Sequence, residues 1–361
     1  MVADDQRVEG GPPPIVHLGG RPVGEHCAPL VIAELSANHN GSLETALEVV
    51  EIAAKAGADA IKLQTYTPDS MTIDSDSAPF VVGPGSPWTG RSLYDLYSEA
   101  QTPWGWHEVL FERARELGMM CLSTPFDASA VDFLEQFDPP AHKIASFELL
   151  DLGLIEYAAS TGRPLILSTG MATEEEITEA VDAARSGGDG GVILLRTNSA
   201  YPADPREMDL LSIPEMSRRW NAPVGLSDHS HGSLAAIVAS ALGATVFEKH
   251  LTTSRAAGGP DAAFSAEPAE FAQYVDDVAM ATTVRGQVRF GPSVAERSSL
   301  AFRRSLFVVE SMAAGEEFSS RNVRAIRPAG GLPPSRLKDV IGRRAAGAID
   351  RGTPLTDDLI T

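Results

Sequence analysis

From residue 30 to residue 252 the chain repeats one pattern eight times: a short apolar run, then an Ala-rich amphipathic stretch at helical spacing. Continuous apolar runs suit strands buried on both faces, and helical connections between them impose parallel pairing. The runs predict strands over Leu30–Asn38, Ala60–Tyr66, Met119–Phe126, His142–Glu148, Pro164–Gly170, Val192–Ser199, Pro223–His229 and Val246–Thr252. Eight such units in roughly 260 residues fit a closed (β/α)8 TIM barrel better than an open sheet. The expected fold class is therefore α/β.

Helix starts support this reading. Ser42 precedes Glu44 and Thr45, and Thr173 precedes Glu174, Glu175 and Glu176, so cap residues are followed by acids that complement the helix dipole. One connection breaks the rhythm: Thr67–Thr102 is a long Pro- and Gly-containing insertion at the end of the second strand, where barrels often carry a lid. The barrel is expected over 30–286, after an N-terminal extension at 1–29. A polar linker at 287–302 leads to a small second domain at 303–361, where short strands and turns replace the β/α pattern.

Composition excludes several classes of function. A formal charge of −20 argues against nucleic acid, whose backbone demands a basic face. Charge is uneven: residues 301–361 hold ten Lys and Arg against seven Asp and Glu, while the preceding residues hold 19 against 42. A basic tail beside an acidic body suits an anionic substrate or a solvated basic surface equally well. No apolar run reaches the length of a membrane span, and the start, MVADDQRVEGGPPP, lacks the apolar core of a signal peptide. Two cysteines, Cys27 and Cys121, are too few for a disulfide framework. A cytoplasmic location is expected.

Barrel enzymes gather their chemistry at the C-terminal ends of the strands, and nearly every predicted strand closes on polar residues. These are Glu34, Asn38, His39 and Asn40; Lys62 and Gln64; Ser123 and Thr124; Lys143, Ser146 and Glu148; Ser168 and Thr169. The later strands add Asn198, Ser199 and Tyr201, then Ser227, Asp228 and His229, then Glu248, Lys249 and His250. A lone histidine or serine is commonly a packed or backbone-satisfying group. Polar closure of all eight strands is not explained that way. His229 and His250 end neighbouring strands, and two imidazoles without a thiolate suit a divalent ion that keeps open positions for water and substrate. Lys62 and Lys143, with hydroxyls from Ser92, Ser123, Thr124, Ser146 and Ser227, suit a phosphate.

The stretches IAELSANHNGSLETA, AGADAIKLQTYTPDSMTID, TPWGWHEVLFERARELG, STPFD, HKIASFEL, LSTGMAT, YPADP, VGLSDHS, FEKHLT and GGPDAAFS resemble the sialic acid synthase family, and especially its pseudaminic acid synthase branch. Phe302–Phe307 and VRAIRPAGGLPP resemble the family's C-terminal antifreeze-like (SAF, β-clip) domain. The resemblance implies a metal-dependent condensation of phosphoenolpyruvate with an amino-sugar aldehyde, in a domain-swapped homodimer. The ion would be Mn2+, with Mg2+ or Co2+ as substitutes. By motif, His229 and His250 would hold the metal. Lys62, Ser92, Thr124, Lys143, Ser146, Ser199 and Ser227 would surround phosphoenolpyruvate. Glu34, Gln64, Glu148, Tyr201 and Asp261 would face the sugar or the reacting carbons, and Arg327 would reach across from the partner chain. Glu34 and Glu148 are the candidate proton-transfer groups. Two departures from the family pattern stand out: RTNSAYP replaces a cysteine-containing segment, and Ser230, followed by His231, replaces a threonine. A 2,4-diacetamido-2,4,6-trideoxyhexose is the expected sugar, with N-acetylmannosamine or a legionaminic precursor as alternatives. Rival classes are a Schiff-base aldolase using Lys62, Lys143 or Lys249, and a non-catalytic carbohydrate- or ice-binding protein.

Overall fold

The computed structural model describes residues 13–361, and the chain divides into two units after Gly286. In the first unit a hairpin of β1 (Val16–Leu18) and β2 (Arg21–Val23) precedes eight strands: β3 (Leu30–Glu34), β4 (Ala60–Thr65), β5 (Met120–Pro125), β6 (His142–Ile144), β7 (Leu165–Ser168), β8 (Val192–Thr197), β9 (Val224–Ser227) and β10 (Val246–His250). These eight pair in parallel and in chain order, and β10 returns to β3, so the expected barrel is closed. Most strands stop short of the apolar runs that predict them. The difference matters most at β6, which ends at Ile144, so that Ser146 and Glu148 lie in the following turn rather than on the strand.

Strand periodicity divides the barrel into layers. Val31, Ala33, Ile61, Leu63, Cys121 and Leu167 point outward into the core shared with the helices. Alternate positions Leu30, Ile32, Ala60, Leu122, Ile166, Ile193, Leu195 and Val246 fill the interior as one apolar cluster. Two residues further along, the same inward-facing rows become polar, as Glu34, Lys62, Thr124, Ser168, Thr197 and Glu248. The barrel is thus dry and packed below and polar at the C-terminal end of the strands.

Val16, Leu18 and Val23 of the hairpin belong to that interior cluster, so the segment expected to be a mere extension includes a plug for the barrel. Arg21 pairs with Asp59 and donates to the Pro29 carbonyl at 2.7 Å, while the Asp59 carboxylate accepts from the Val31 amide at 2.8 Å. Residues 1–12 of the expected extension lie outside the described residues.

The insertion after β4 is ordered by short elements: helix Pro68–Met71, a 3₁₀ turn at Ala78–Phe80 and helix Leu93–Ala100. The second unit pairs β11 (Ser305–Val308) with β12 (Val323–Ile326) in antiparallel fashion. Its own core contains Leu306, Val308, Phe318, Val323, Val340 and Leu355. The expected linker 287–302 falls with this unit and ends in a 3₁₀ helix, Arg297–Phe302.

Closure leaves little room between β9 and β10. A Cβ on Gly225 would lie 2.2 Å from the Val246 carbonyl oxygen and 2.7 Å from Leu195 Cδ2, and the backbone oxygen cannot move without breaking the ladder. Gly225→Ala is expected to lower stability by about 1–3 kcal/mol or more. Thermal or denaturant unfolding checks this, and a variant as stable as the parent would mean that the two strands can part.

Candidate active site

The polar ends of the strands enclose a cavity of about 440 Å³. At its floor stand two buried cations and two buried carboxylates. Lys62 Nζ lies 2.5 Å from Glu34 and 3.6 Å from Glu248, and Lys143 Nζ lies 3.8 Å from Glu248. Register explains the first pair, since Glu34 and Lys62 are partners across β3 and β4. Lys62 also donates to Thr124 Oγ1 at 3.2 Å, and Ser227 Oγ donates to Glu248 at 3.3 Å.

Burial and charge oppose one another here. Desolvation pushes the Glu34 carboxyl up, against the pull of Lys62. For Lys62 burial acts downward but Glu248 and Glu34 outweigh it, so its ammonium is held above the usual lysine range. Lys143, with weaker carboxylate support, is left below that range by burial. Burial also raises Glu248, yet Lys143 and Lys62 reverse this and hold it ionised. Glu148 is pushed up to about 7 by burial, and its Oε2 has no hydrogen-bond partner among the described residues.

A second network runs along the rim. Gln64 donates to Glu34 at 3.3 Å and to Ser36 at 2.9 Å, and Ser36 donates to the buried Asp261 carboxylate at 2.5 Å. Opposite, Ser146 and Ser199 flank the backbone of Gly170, where an added Cβ would sit 2.5 Å from each hydroxyl oxygen. Ser199 Oγ and Ser168 Oγ are buried without a partner among the described residues. Ser168 lines the cavity with its hydroxyl free for a ligand oxygen, whereas the expected Ser199 packs behind Gly170 and does not line it.

The rings of His229 and His250 meet edge to face, with centroids 5.5 Å apart and planes inclined by 66°. His229 Nδ1 donates to the Asn198 carbonyl at 2.7 Å, which presents Nε2 as the basic nitrogen. His250 Nδ1 is buried without a partner among the described residues. Burial holds His229 down to about 4 and His250 well below the usual histidine range, so both rings are neutral at physiological pH, as ligation requires. Among the described residues no group of three or more His, Cys, Asp or Glu is arranged to hold an ion. Two neutral imidazoles in one pocket, one of them with its Nδ1 proton engaged by a carbonyl, are a donor set that would suit a divalent ion completed by water and substrate oxygens.

Other sequence candidates are placed differently. Ser92 Oγ caps helix Leu93–Ala100 by accepting from the Asp95 amide, and Ser92 does not line the cavity. His39 accepts from the Gly41 amide, contacts the Ala100 carbonyl and meets Trp106 edge-on, a packing role. Lys249 is committed to Asp228 at 3.1 Å and to the Ser230 carbonyl at 2.6 Å. Arg327 belongs to the second unit, directly after β12, and is joined to Pro328 by a cis peptide. Glu248 is among the polar residues that close the strands in the sequence, but neither residue type nor resemblance gave it a role. Its signal is alternation: two residues before His250 on the same strand, it points the same way. Also unforeseen was an apolar wall from the insertion, whose Met71, Val82, Trp88, Leu93, Leu96 and Tyr97 line the cavity.

A parallel eight-stranded barrel with an ion-paired polar cavity at the strand C-termini defines an enzyme of the (β/α)8 class, equipped for an anionic substrate. Comparison narrows this: the NeuB family model matches residues 49–289 and the SAF domain model residues 303–361, and the chain belongs to the NeuB family. It is 42% identical over 327 residues to the pseudaminic acid synthase of Campylobacter jejuni (strain 81-176), spanning 91% of this chain and 95% of that one. It is 40% identical to the pseudaminic acid synthase of Helicobacter pylori (strain 26695) over 332 residues, 91% of this chain and 97% of the other. A crystal structure of the N-acetylneuraminic acid (sialic acid) synthetase of Leptospira borgpetersenii superposes with a TM-score of 0.71 at 29% identity, covering 80% of this chain and 96% of that one.

The state of Glu148 yields a test by pH. Its carboxyl titrates near 4.5 when unfolded and at about 7 when folded, so the folded form binds the proton more tightly and loses stability as pH rises through that window. A neutral Glu148→Gln side chain escapes the loss. The melting temperature of the variant relative to the parent is expected to rise from pH 5 to pH 8. A constant difference across that range would show that Glu148 is not held protonated by the fold.

Proposed function

We propose that this enzyme condenses phosphoenolpyruvate with a 2,4-diacetamido-2,4,6-trideoxyhexose and water to give a nonulosonic acid, pseudaminic acid, and phosphate. The observation that carries this reading is the buried Lys62–Lys143 pair in the cavity at the strand ends, on a chain that matches pseudaminic acid synthases over nine-tenths of its length. Lys62, Lys143, Thr124, Ser146 and Ser227 supply the charge and donors for the phosphate and carboxylate of phosphoenolpyruvate. Asp261, Gln64 and Tyr201 stand on the acceptor side.

In the reaction C3 of the enol phosphate attacks the aldehyde carbon, a water adds at C2, and the C2–O bond to phosphate breaks. The water oxygen becomes the C2 keto oxygen as phosphate departs, and its two protons go one to the former aldehyde oxygen and one to the released phosphate. Glu34 and Glu148, both raised by burial, are the two groups that exchange protons near neutral pH. A divalent ion on His229 and His250, Mn2+ with Mg2+ or Co2+ as substitutes, would supply Lewis-acid polarisation of the aldehyde. Phosphoenolpyruvate as substrate and two unpaired thiols, Cys27 and Cys121, favour a cytoplasmic enzyme. No helix among the described residues is long and apolar enough to cross a membrane.

The direct test is phosphate release from phosphoenolpyruvate with a panel of amino-sugar aldehydes. Release with the trideoxy sugar is expected to be abolished by chelation and restored by Mn2+. N-acetylmannosamine or the legionaminic precursor as the best acceptor would move the assignment within the family. Lys143, held low by burial, is the lysine best suited to a Schiff base; a borohydride-stable adduct with pyruvate would favour an aldolase instead.

We also propose a domain-swapped homodimer in which the partner's Arg327 completes each site, as the family resemblance implies. Mixing Arg327→Ala and His229→Ala chains would then place one fully equipped site in each mixed dimer. Activity in the mixture is expected to reach up to about half that of the parent per mixed dimer. Mixed dimers that form without recovering activity would confine Arg327 to its own chain.

A further inference from the structure

The chemistry at the cavity floor leaves the insertion at 67–102 without a task. Its tip residue Trp88 lines the cavity and is held in place from two sides. The indole Nε1 donates to the Pro260 carbonyl at 2.8 Å, and the Trp88 amide donates to Ser86 Oγ at 3.2 Å. The ring lies 5.9 Å from Tyr201 and 6.3 Å, edge-on, from Phe264. Those two rings in turn pack on the imidazoles, Tyr201 on His229 at 4.3 Å and Phe264 against His250 at 5.1 Å. One aromatic surface therefore runs from the paired histidines to the insertion, where Met71, Val82, Leu93 and Leu96 extend it.

With its indole N–H committed to Pro260, Trp88 offers an incoming ligand a face and no donor. A sugar hydroxyl turned toward that face loses its water without gaining a partner, whereas a methyl group gains contact. Resting on the reading above, we propose that Trp88 is the specificity-determining residue for the acceptor. It selects amino sugars that present methyl groups, from an acetamide or a deoxygenated C6, over sugars with hydroxyls at the same positions.

The experiment compares the trideoxy diacetamido sugar with N-acetylmannosamine on the full-length protein, by phosphate release and by calorimetric binding in the presence of phosphoenolpyruvate. Trp88→Ala is expected to cut the preference for the trideoxy sugar by about tenfold, mainly through KM, with the KM for phosphoenolpyruvate unchanged within about twofold. Trp88→Phe, which keeps the aromatic face, is expected to retain most of the preference and serves if the alanine variant melts early. A loss that is equal for both sugars overturns the proposal. If the parent releases no phosphate with any aldehyde, the synthase reading falls, and the binding ratio of parent to variant still decides the role of Trp88. A parent that binds both sugars alike sinks the proposal alone.

Discussion

Two lysines and two glutamates share one dry space at the top of the barrel, and the rest of the site is arranged around keeping that set intact. Glu34, Lys62, Lys143 and Glu248 come from four different strands, β3, β4, β6 and β10, and each is almost fully buried. Removing one partner would leave an uncompensated charge in a low-dielectric interior, a cost of several kcal/mol in comparable cases. Such a cluster is poor value as a stabiliser, because well-packed apolar residues would serve at least as well. Its use is readiness for an anion. The cations are already desolvated and positioned, so a phosphate meets them without paying for reorganisation.

Balance in that set explains the unequal protonation of the carboxylates. Glu248 lies near both lysines and stays ionised, whereas Glu34 has one close cation and Glu148 stands further from support. Chemically identical carboxyls therefore fall into two states because of their neighbours, Glu34 and Glu148 raised and Glu248 held ionised. The histidines follow the same logic from the other side, since burial with lysines nearby keeps both rings neutral and available as ligands.

The barrel below the site is a support rather than a vessel. Apolar side chains fill it to the bottom, where the hairpin of β1 and β2 closes the end. Polar and charged side chains are concentrated in the layer above, and the insertion walls it, in keeping with a fold whose loops vary while its strands pack. The committed interactions of Asn38, His39 and Lys249 belong to that support. Asn38 ties the turn after β3 to the Leu251 carbonyl and to Ser265, and Lys249 pins the segment after β9 to β10.

The amino-acid sequence by itself determined the barrel, because alternating β/α periods and short connections leave few alternatives for a chain of this length. It also determined most of the site's membership, since polar residues at the ends of apolar runs must converge once the strands are parallel and the barrel closed. What it left open follows from long-range geometry. Whether a serine faces a cavity or caps a helix, as Ser92 does, depends on where its backbone turns. Glu248 joins the site because inward alternation and closure bring β10 beside β3, and the hairpin becomes a plug only when a barrel exists for it to fill. The protonation of Glu34, Glu148 and the paired histidines was likewise a tertiary outcome. Desolvation and neighbouring charge set it, and neither exists until the chain has folded around them.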